Sequence, residues 1–296
     1  MLRRLLFLTV LPLIAYCQQS AIKPTTTIRL FDGKTLDNFD LWQQDNHEND
    51  PDKVFTIVDQ VDGAPAIRIS GQHWGGILTK SAYRDYKLVV EFRWGLLTWG
   101  QRKDRARDSG ILLHCQGRPG SSQKDFNGPW MRSVEFQMID GGVGDIILVG
   151  GYAENGELLR PVLKAKTRKD RDGETVFDSQ GQPNTYSTGR INWWGRSEDW
   201  VDKLGFRGPS DVEKPGGEWN HLEAIVQGGN LQYFVNGRLV NVLAQGDLDE
   251  GVHTVRWNGT NLAGERVASG IYFDRLVIRR GQLIVFEKVQ KMCFMK

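Results

Sequence analysis

Apolar and polar residues alternate with a period of two along much of this chain, in runs too short for amphipathic helices. The pattern predicts strands at Val54–Val58, Ala66–Ser70, Gly76–Thr79, Tyr86–Trp94, Ser109–His114, Ser133–Ile139 and Ile146–Val149. Three more are predicted at His221–Gln227, Leu231–Val235 and Leu239–Leu243. Asp62-Gly63, Gly228-Gly229 and Asn236-Gly237 supply the positive φ that tight hairpins need, so "EWNHLEAIVQGGNLQYFVNGRLVN" reads as a three-stranded antiparallel meander. Many short antiparallel strands without long helical periodicity predict an all-β jelly-roll sandwich. Between Leu158 and Gly217 the alternation fades into a polar stretch that still holds Trp193, Trp194 and Trp200. That stretch is expected to be an elaborated loop packed over a sheet edge or rim.

The same period sorts side chains onto faces. In "KLVVEFRW", Val90, Phe92 and Trp94 share one face and Val89, Glu91 and Arg93 the other. In "DSGILLHC", Ile111 and Leu113 oppose Leu112 and His114. In "SVEFQMI", Val134, Phe136 and Met138 oppose Ser133, Glu135 and Gln137. If these strands sit close in one curved sheet, Glu91, Arg93, His114, Glu135 and Gln137 converge. A solvent-washed outer face with routine cross-strand ion pairs fits the same pattern. Glu135, Gln137 and Asp140 form E-x-Q-x-x-D, which resembles the E-x-D-x-x-E strand of laminarinase-type glycosidases. Residues five apart, however, point to opposite faces unless a bulge intervenes, and the second Glu is missing, so a two-carboxylate glycosidase is weakly supported.

Composition narrows the classes. The 296 residues are 40% hydrophobic and carry a net charge of only +2, which suggests neither disorder nor a nucleic-acid partner. Arg3 and Arg4 followed by the apolar run Leu5–Ala15 read as a secretory signal within residues 1–20, predicting export to the periplasm or the cell exterior. Cys17 opens a second route, lipid attachment and outer-membrane association, although Tyr16 is large where a lipoprotein signal wants a small residue. The cysteines at 17, 115 and 293 imply no disulfide framework. Cys115 and His114, as strand neighbours, point to opposite faces and do not make a nucleophilic pair. His221 reads as a structural hydrogen-bonder at a strand start, and His73 as a minor candidate in a loop.

Taken together, "LFDGKTLDNFDLW", "YKLVVEFRW", "RDSGILLHCQG", "WMRSVEFQMIDGGVGDIILVGG" and the meander resemble the 3-keto-disaccharide hydrolase domain family over residues 28–241. The resemblance implies a concanavalin A-like jelly roll, exported by bacteria, acting on a carbohydrate already oxidised at C3. Its chemistry needs a base for the C2 proton, a donor for the enolate oxygen and help for the leaving group. His114 or Glu135 would be the base, Arg93 or a bound divalent metal ion the enolate partner, and Glu91 an orienting group. Gln137, Asp108 and Asp140 would bind hydroxyls and Trp130 would stack on a sugar ring. His114, Glu135 and Glu91 could also ligate the metal. A non-catalytic carbohydrate-binding module on the same fold is the rival reading.

After residue 241 the pattern changes. "HTVRWNGTNLAGERVASGIYF" resembles half of the immunoglobulin-like module of flagellar hook-capping proteins and secretion-sorting domains, so residues 242–296 form a separate segment. Its Gly270–Arg279 strand is expected to complete the jelly roll, because Ile271, Phe273 and Leu276–Ile278 need burial.

Overall fold

The computed structural model describes residues 21–244, 270–280 and 283–294. The expected signal and Cys17 lie outside them, as do residues 245–269, which hold most of the "HTVRWNGTNLAGERVASGIYF" stretch. Among the described residues the chain forms strands and one 3-10 turn at Gly100–Arg102. Numbered in chain order, the first eight strands are β1 Phe39–Gln43, β2 Phe55–Val61, β3 Ala64–Ile69, β4 Gly75–Thr79, β5 Tyr86–Phe92, β6 Asp108–Gln116, β7 Arg132–Ile139 and β8 Ile146–Val149. Short ones follow, β9 Gly151–Tyr152, β10 Leu158–Leu159, β11 Leu163–Lys169, β12 Thr175–Phe177, β13 Gln182–Tyr186 and β14 Gly189–Ile191. The meander is β15 Asn220–Gln227, β16 Asn230–Val235 and β17 Arg238–Ala244, and the last pair is β18 Gly270–Arg280 and β19 Leu283–Phe294.

Two antiparallel sheets make a β-sandwich. The larger runs β12-β11-β17-β16-β15-β5, with β13 also paired to β11, and the smaller runs β14-β8-β7-β6. Every second residue of each strand enters the space between them. From the larger sheet come Phe92, Leu163, Ala165, Leu222, Ala224, Leu231, Tyr233 and Val235. From the smaller come Leu113, Val134, Phe136, Met138, Ile146 and Leu148. Phe136 of β7 and Tyr233 of β16, both fully buried, stack with ring centroids 4.1 Å apart and planes 4° from parallel, joining the layers at their centre. The predicted Asn236-Gly237 turn is present with φ of 50° and 79°, the left-handed pair a two-residue hairpin demands. The Asn236 side chain accepts the His221 N–H and donates to the Val212 carbonyl, fixing the turn to the neighbouring loop.

Two expectations are corrected. The polar stretch after Leu158 is not one loop, since β11 to β14 lie within it and belong to the two main sheets. β11 does alternate, but its buried positions are Leu163, Ala165 and Thr167 and its outer ones Lys164, Lys166 and Arg168. The small inward residues hid the strand. The true loop spans 192–219. Second, β18 does not complete the jelly roll. It pairs along its length with β19 in a separate two-stranded sheet, because the next segment in sequence offers a hairpin partner at lower loop-closure cost than a distant sheet edge.

Candidate functional site

The face of the smaller sheet turned away from the core carries the chemistry. Cross-strand pairing sets Leu112 of β6 opposite Glu135 of β7, Glu135 opposite Ile147 of β8, and Ile147 opposite Arg190 of β14. These four form one row across all four strands, on the side opposite Phe136. One step along, Gly110 faces Gln137. The Gln137 amide donates to Asp108 Oδ1 at 2.9 Å. Gly110 has a steric reason to be glycine: a β-carbon there would strike the Glu135 carboxyl group.

Two loops wall this face. Arg102, at the 3-10 turn, grips Asp202 with two hydrogen bonds of 2.8 and 3.0 Å, donates to the Ala106 carbonyl at 2.6 Å, and lies 3.8 Å from Asp108. Asp140, at the end of β7, is buried and accepts the backbone N–H groups of Arg107 and Gly205, both at 2.9 Å, with the Arg107 guanidinium at 3.1 Å. A single carboxylate thus binds the 93–107 and 192–219 loops to the sheet. Asp145 does similar work beneath, fully buried with the guanidinium groups of Arg196 and Arg190 and the N–H of Trp193.

Burial dominates the electrostatics. It raises Glu135 from 4.5 to about 8. The charge of Asp108 adds to the rise and Arg190 opposes it. Asp108 is raised as well, chiefly by burial, with Arg102, Arg190 and the Gln137 hydrogen bond pulling against it. The pair is a half-sheltered carboxyl couple with guanidinium groups on either side. Gln137, buried, has an amide oxygen that receives no hydrogen bond from the protein.

His114 sits where the β6–β7 register slips between Leu113 and Gln116, at a bulge that sets two residues of β6 against one of β7. Its φ of 52° is left-handed, a conformation costing about 1–2 kcal/mol for a residue with a β-carbon. Burial lowers its pKa, and its Nε2 has no protein partner. No hydrogen bond or ion pair among the described residues joins it to Glu135. At Cys115 the thiol is turned in towards the Leu112 carbonyl at 3.4 Å, although the residue as a whole is exposed. Burial pushes this thiol up to about 11, which leaves it unreactive.

The structure therefore brings Asp108, Glu135 and Gln137 together and separates the others. Glu91 and Arg93 are corrections. Glu91 lies on β5, in the larger sheet, and points outward beside its cross-strand partner His221, 3.5 Å away. His221 in turn meets Glu223 at 3.0 Å, and Glu223 meets Lys87. That is the solvated ion-pair face, on the far side of the sandwich. Arg93 bonds Asp62 at 2.8 Å and lies over the Trp219 ring. The metal set of His114, Glu135 and Glu91 is consequently not assembled, and the described residues contain no cluster of three or more His, Cys, Asp or Glu suited to an ion. Asp140 is a buried bracket, not a hydroxyl binder. Trp130 is exposed in a different hollow, against Trp74. His73 pairs with Asp52 at 2.8 Å on the surface. Arg190, Arg102 and Asp202 went unpredicted. Arg190 stands on a three-residue strand and the other two on loops, where no periodicity assigns a face.

A family model described as 3-keto-alpha-glucoside-1,2-lyase-like domain matches residues 26–253. No curated protein matches the chain. Among solved structures the chain is similar to a "putative glycosyl hydrolase" from Parabacteroides distasonis ATCC 8503, with 18% identity, 74% of this chain and 71% of that one covered, and a TM-score of 0.36.

Proposed function

Because the chain belongs to the 3-keto-alpha-glucoside-1,2-lyase-like domain family, we infer that it cleaves glycosides oxidised at C3, on the face carrying Glu135. A ketone at C3 acidifies the hydrogen on C2. Glu135 removes that proton, the C2–H electrons delocalise onto the C3 oxygen as an enolate, and their return expels the C1 oxygen with its aglycone, which leaves as the alcohol after taking a proton from the protonated Glu135. Water then adds across the resulting double bond to give the free 3-keto sugar, so the net reaction is hydrolysis. Neither an oxidant nor a reductant is consumed.

The observation that carries this reading is the Glu135 carboxyl group, held near pKa 8 beside Asp108 and Arg190 on one sheltered sheet face. A base works best when its pKa lies near the working pH, and an ordinary glutamate would be too weak for a carbon acid. Arg190, in the same row, supplies the positive charge for the enolate oxygen, the part assigned to Arg93 on sequence grounds. Asp108 accepts a sugar hydroxyl, and the undonated oxygen of Gln137 accepts another. Arg102 keeps Asp108 oriented. Export from a bacterial cell, as a soluble protein or lipid-anchored at Cys17, is part of the same proposal, since a periplasmic or surface enzyme would meet oxidised glycosides there.

The test is direct. Purified protein is incubated with a 3-keto-glucoside and aglycone release is followed, with and without added divalent ions. The same reaction in deuterium oxide should place deuterium at C2 of the product. Release by the wild type and its loss in Glu135→Gln support the reading. No release under either ionic condition overturns it.

A further inference from the structure

A hollow lies elsewhere on the surface, lined by none of the residues of the Glu135 face. Gln44, Trp74, Ser122, Gln123, Pro129 and Trp130 line an open cavity of about 250 Å³. The Trp74 and Trp130 rings stand 5.7 Å apart at 84° to one another, giving the hollow two perpendicular aromatic walls. None of the lining side chains is charged, so neither an anion nor a cation finds a counter-charge there. Among the described residues the side-chain amides of Gln44 and Gln123 are committed to no other protein group, which leaves donors and acceptors beside the indoles.

The walls are fixed before any ligand arrives. Trp130 exchanges hydrogen bonds with Ser122: its N–H reaches the Ser122 hydroxyl at 3.2 Å, and its carbonyl accepts the Ser122 N–H at 3.0 Å. The Gln44 N–H holds the Trp74 carbonyl at 2.9 Å. Beneath them the buried Trp42 indole donates to the Gly128 carbonyl at 2.8 Å. Gly120 lies so close to Trp42 and the Phe126 carbonyl that no β-carbon would fit. The backbones of Trp74 and Trp130 are therefore tied to β1 and to the 118–130 loop, and the two rings rest edge to face on one another, which lowers the ordering cost of binding.

Rigid aromatic walls, neutral amides and a cavity smaller than the roughly 300–1,000 Å³ of drug-sized pockets suit one compact ligand with an apolar face and a hydroxylated rim. A pyranose ring is such a ligand: its axial C–H groups present a weakly positive face to the indole quadrupole, and its equatorial hydroxyls lie in the plane of the amides. We propose that the Trp74–Trp130 hollow is a carbohydrate-binding subsite for an unoxidised, uncharged pyranose ring, separate from the Glu135 face. None of the residues lining the hollow belongs to the row Leu112, Glu135, Ile147 and Arg190 or to the Gln137–Asp108 pair beside it. The subsite therefore holds a second sugar of a larger glycan and not the ring whose C2 proton is removed. The proposal rests on the hollow's own lining and survives even if Glu135 is not a base.

Saturation-transfer NMR on the purified full chain, with methyl β-glucoside, cellobiose and maltose as probes, tests it. At least one probe should receive saturation at the C–H groups of one ring face. Trp74→Ala and Trp130→Ala should each weaken that binding at least tenfold. Gln123→Ala, a substitution at an exposed position that spares the fold, should weaken it severalfold, whereas Glu135→Gln should leave it unchanged. Absence of transfer to all three sugars overturns the proposal, as does binding unaffected by the Trp74, Trp130 and Gln123 substitutions. Loss of aglycone release in Glu135→Gln with sugar binding intact separates this inference from the catalytic one.

Discussion

The carboxyl group of Glu135 fills the space that a side chain on its diagonal neighbour Gly110 would occupy. One strand has given up its side chain so that the next can lay a carboxylate over it. Burial of that carboxyl group, and after it the nearby charge of Asp108, raise its pKa. Gly110→Ala is therefore expected to displace Glu135 by rotamer change while the strand, whose φ at this position is unexceptional, still pairs. Aglycone release from a 3-keto-glucoside should fall at least a hundredfold, with a loss of about 1–3 kcal/mol in stability from overpacking. Steady-state kinetics together with urea unfolding check both. Activity near the wild-type level would mean that the Glu135 position is irrelevant.

Protonation of Glu135 couples to folding with a definite sign. The unfolded chain releases this proton near pH 4.5, whereas the folded protein keeps it until about pH 8. Between those values the native state binds more protons than the unfolded one, so this group's contribution to stability declines as pH rises through the window and levels off above it. Glu135→Gln removes the ionisation. Its melting temperature relative to wild type should climb steadily across the window and flatten near pH 8, as thermal melts would record.

The catalytic profile should follow the same group. If the ionised form is the base, log kcat/KM rises with pH towards a plateau at an apparent value near 8, and Glu135→Gln lowers the plateau by a factor on the order of 10²–10⁴.

Arg190 has two effects that one substitution separates. Its charge holds the Glu135 pKa down, so Arg190→Met should shift the rising limb of the pH profile to the alkaline side. As the enolate partner its loss should also lower kcat on the order of 10²–10³-fold even at the plateau. Arg196 remains on Asp145, which keeps that buried carboxylate paired. Glu91→Ala and Arg93→Ala, on the other sheet, should leave both the limb and the rate within about twofold of wild type.

Asp140 should behave as a structural group. Asp140→Ala strands the Arg107 guanidinium and two backbone N–H groups, an expected cost of about 3–5 kcal/mol. Chemical denaturation would show it. Asp140→Asn should recover part of that loss.

The contrast between Glu135 and Glu91 explains how far the sequence could be read. Both occupy polar positions in alternating strands, and parity correctly put each on the face opposite the core. Parity is silent on which layer a strand joins. A sandwich has two outward faces, and β5 and β7 look out from opposite ones. The pairing of Gln137 with Asp108 was within reach because both strands are long and regular. Arg190 was not, since a three-residue strand has no period to measure, and the pH-sensitive part of the site owes its character to loops that only tertiary contacts fold over the sheet. β11 was overlooked for a related reason: alanine and threonine at buried positions give alternation without hydrophobic contrast.

The slip at His114 and Cys115 has a consequence for the shape of the strand. An extra residue on β6 sets two of its residues against one of β7 and bends the strand there. A chain with one residue fewer between Leu113 and Gln116 would pair the two strands without that bend and would no longer force His114 into a left-handed backbone.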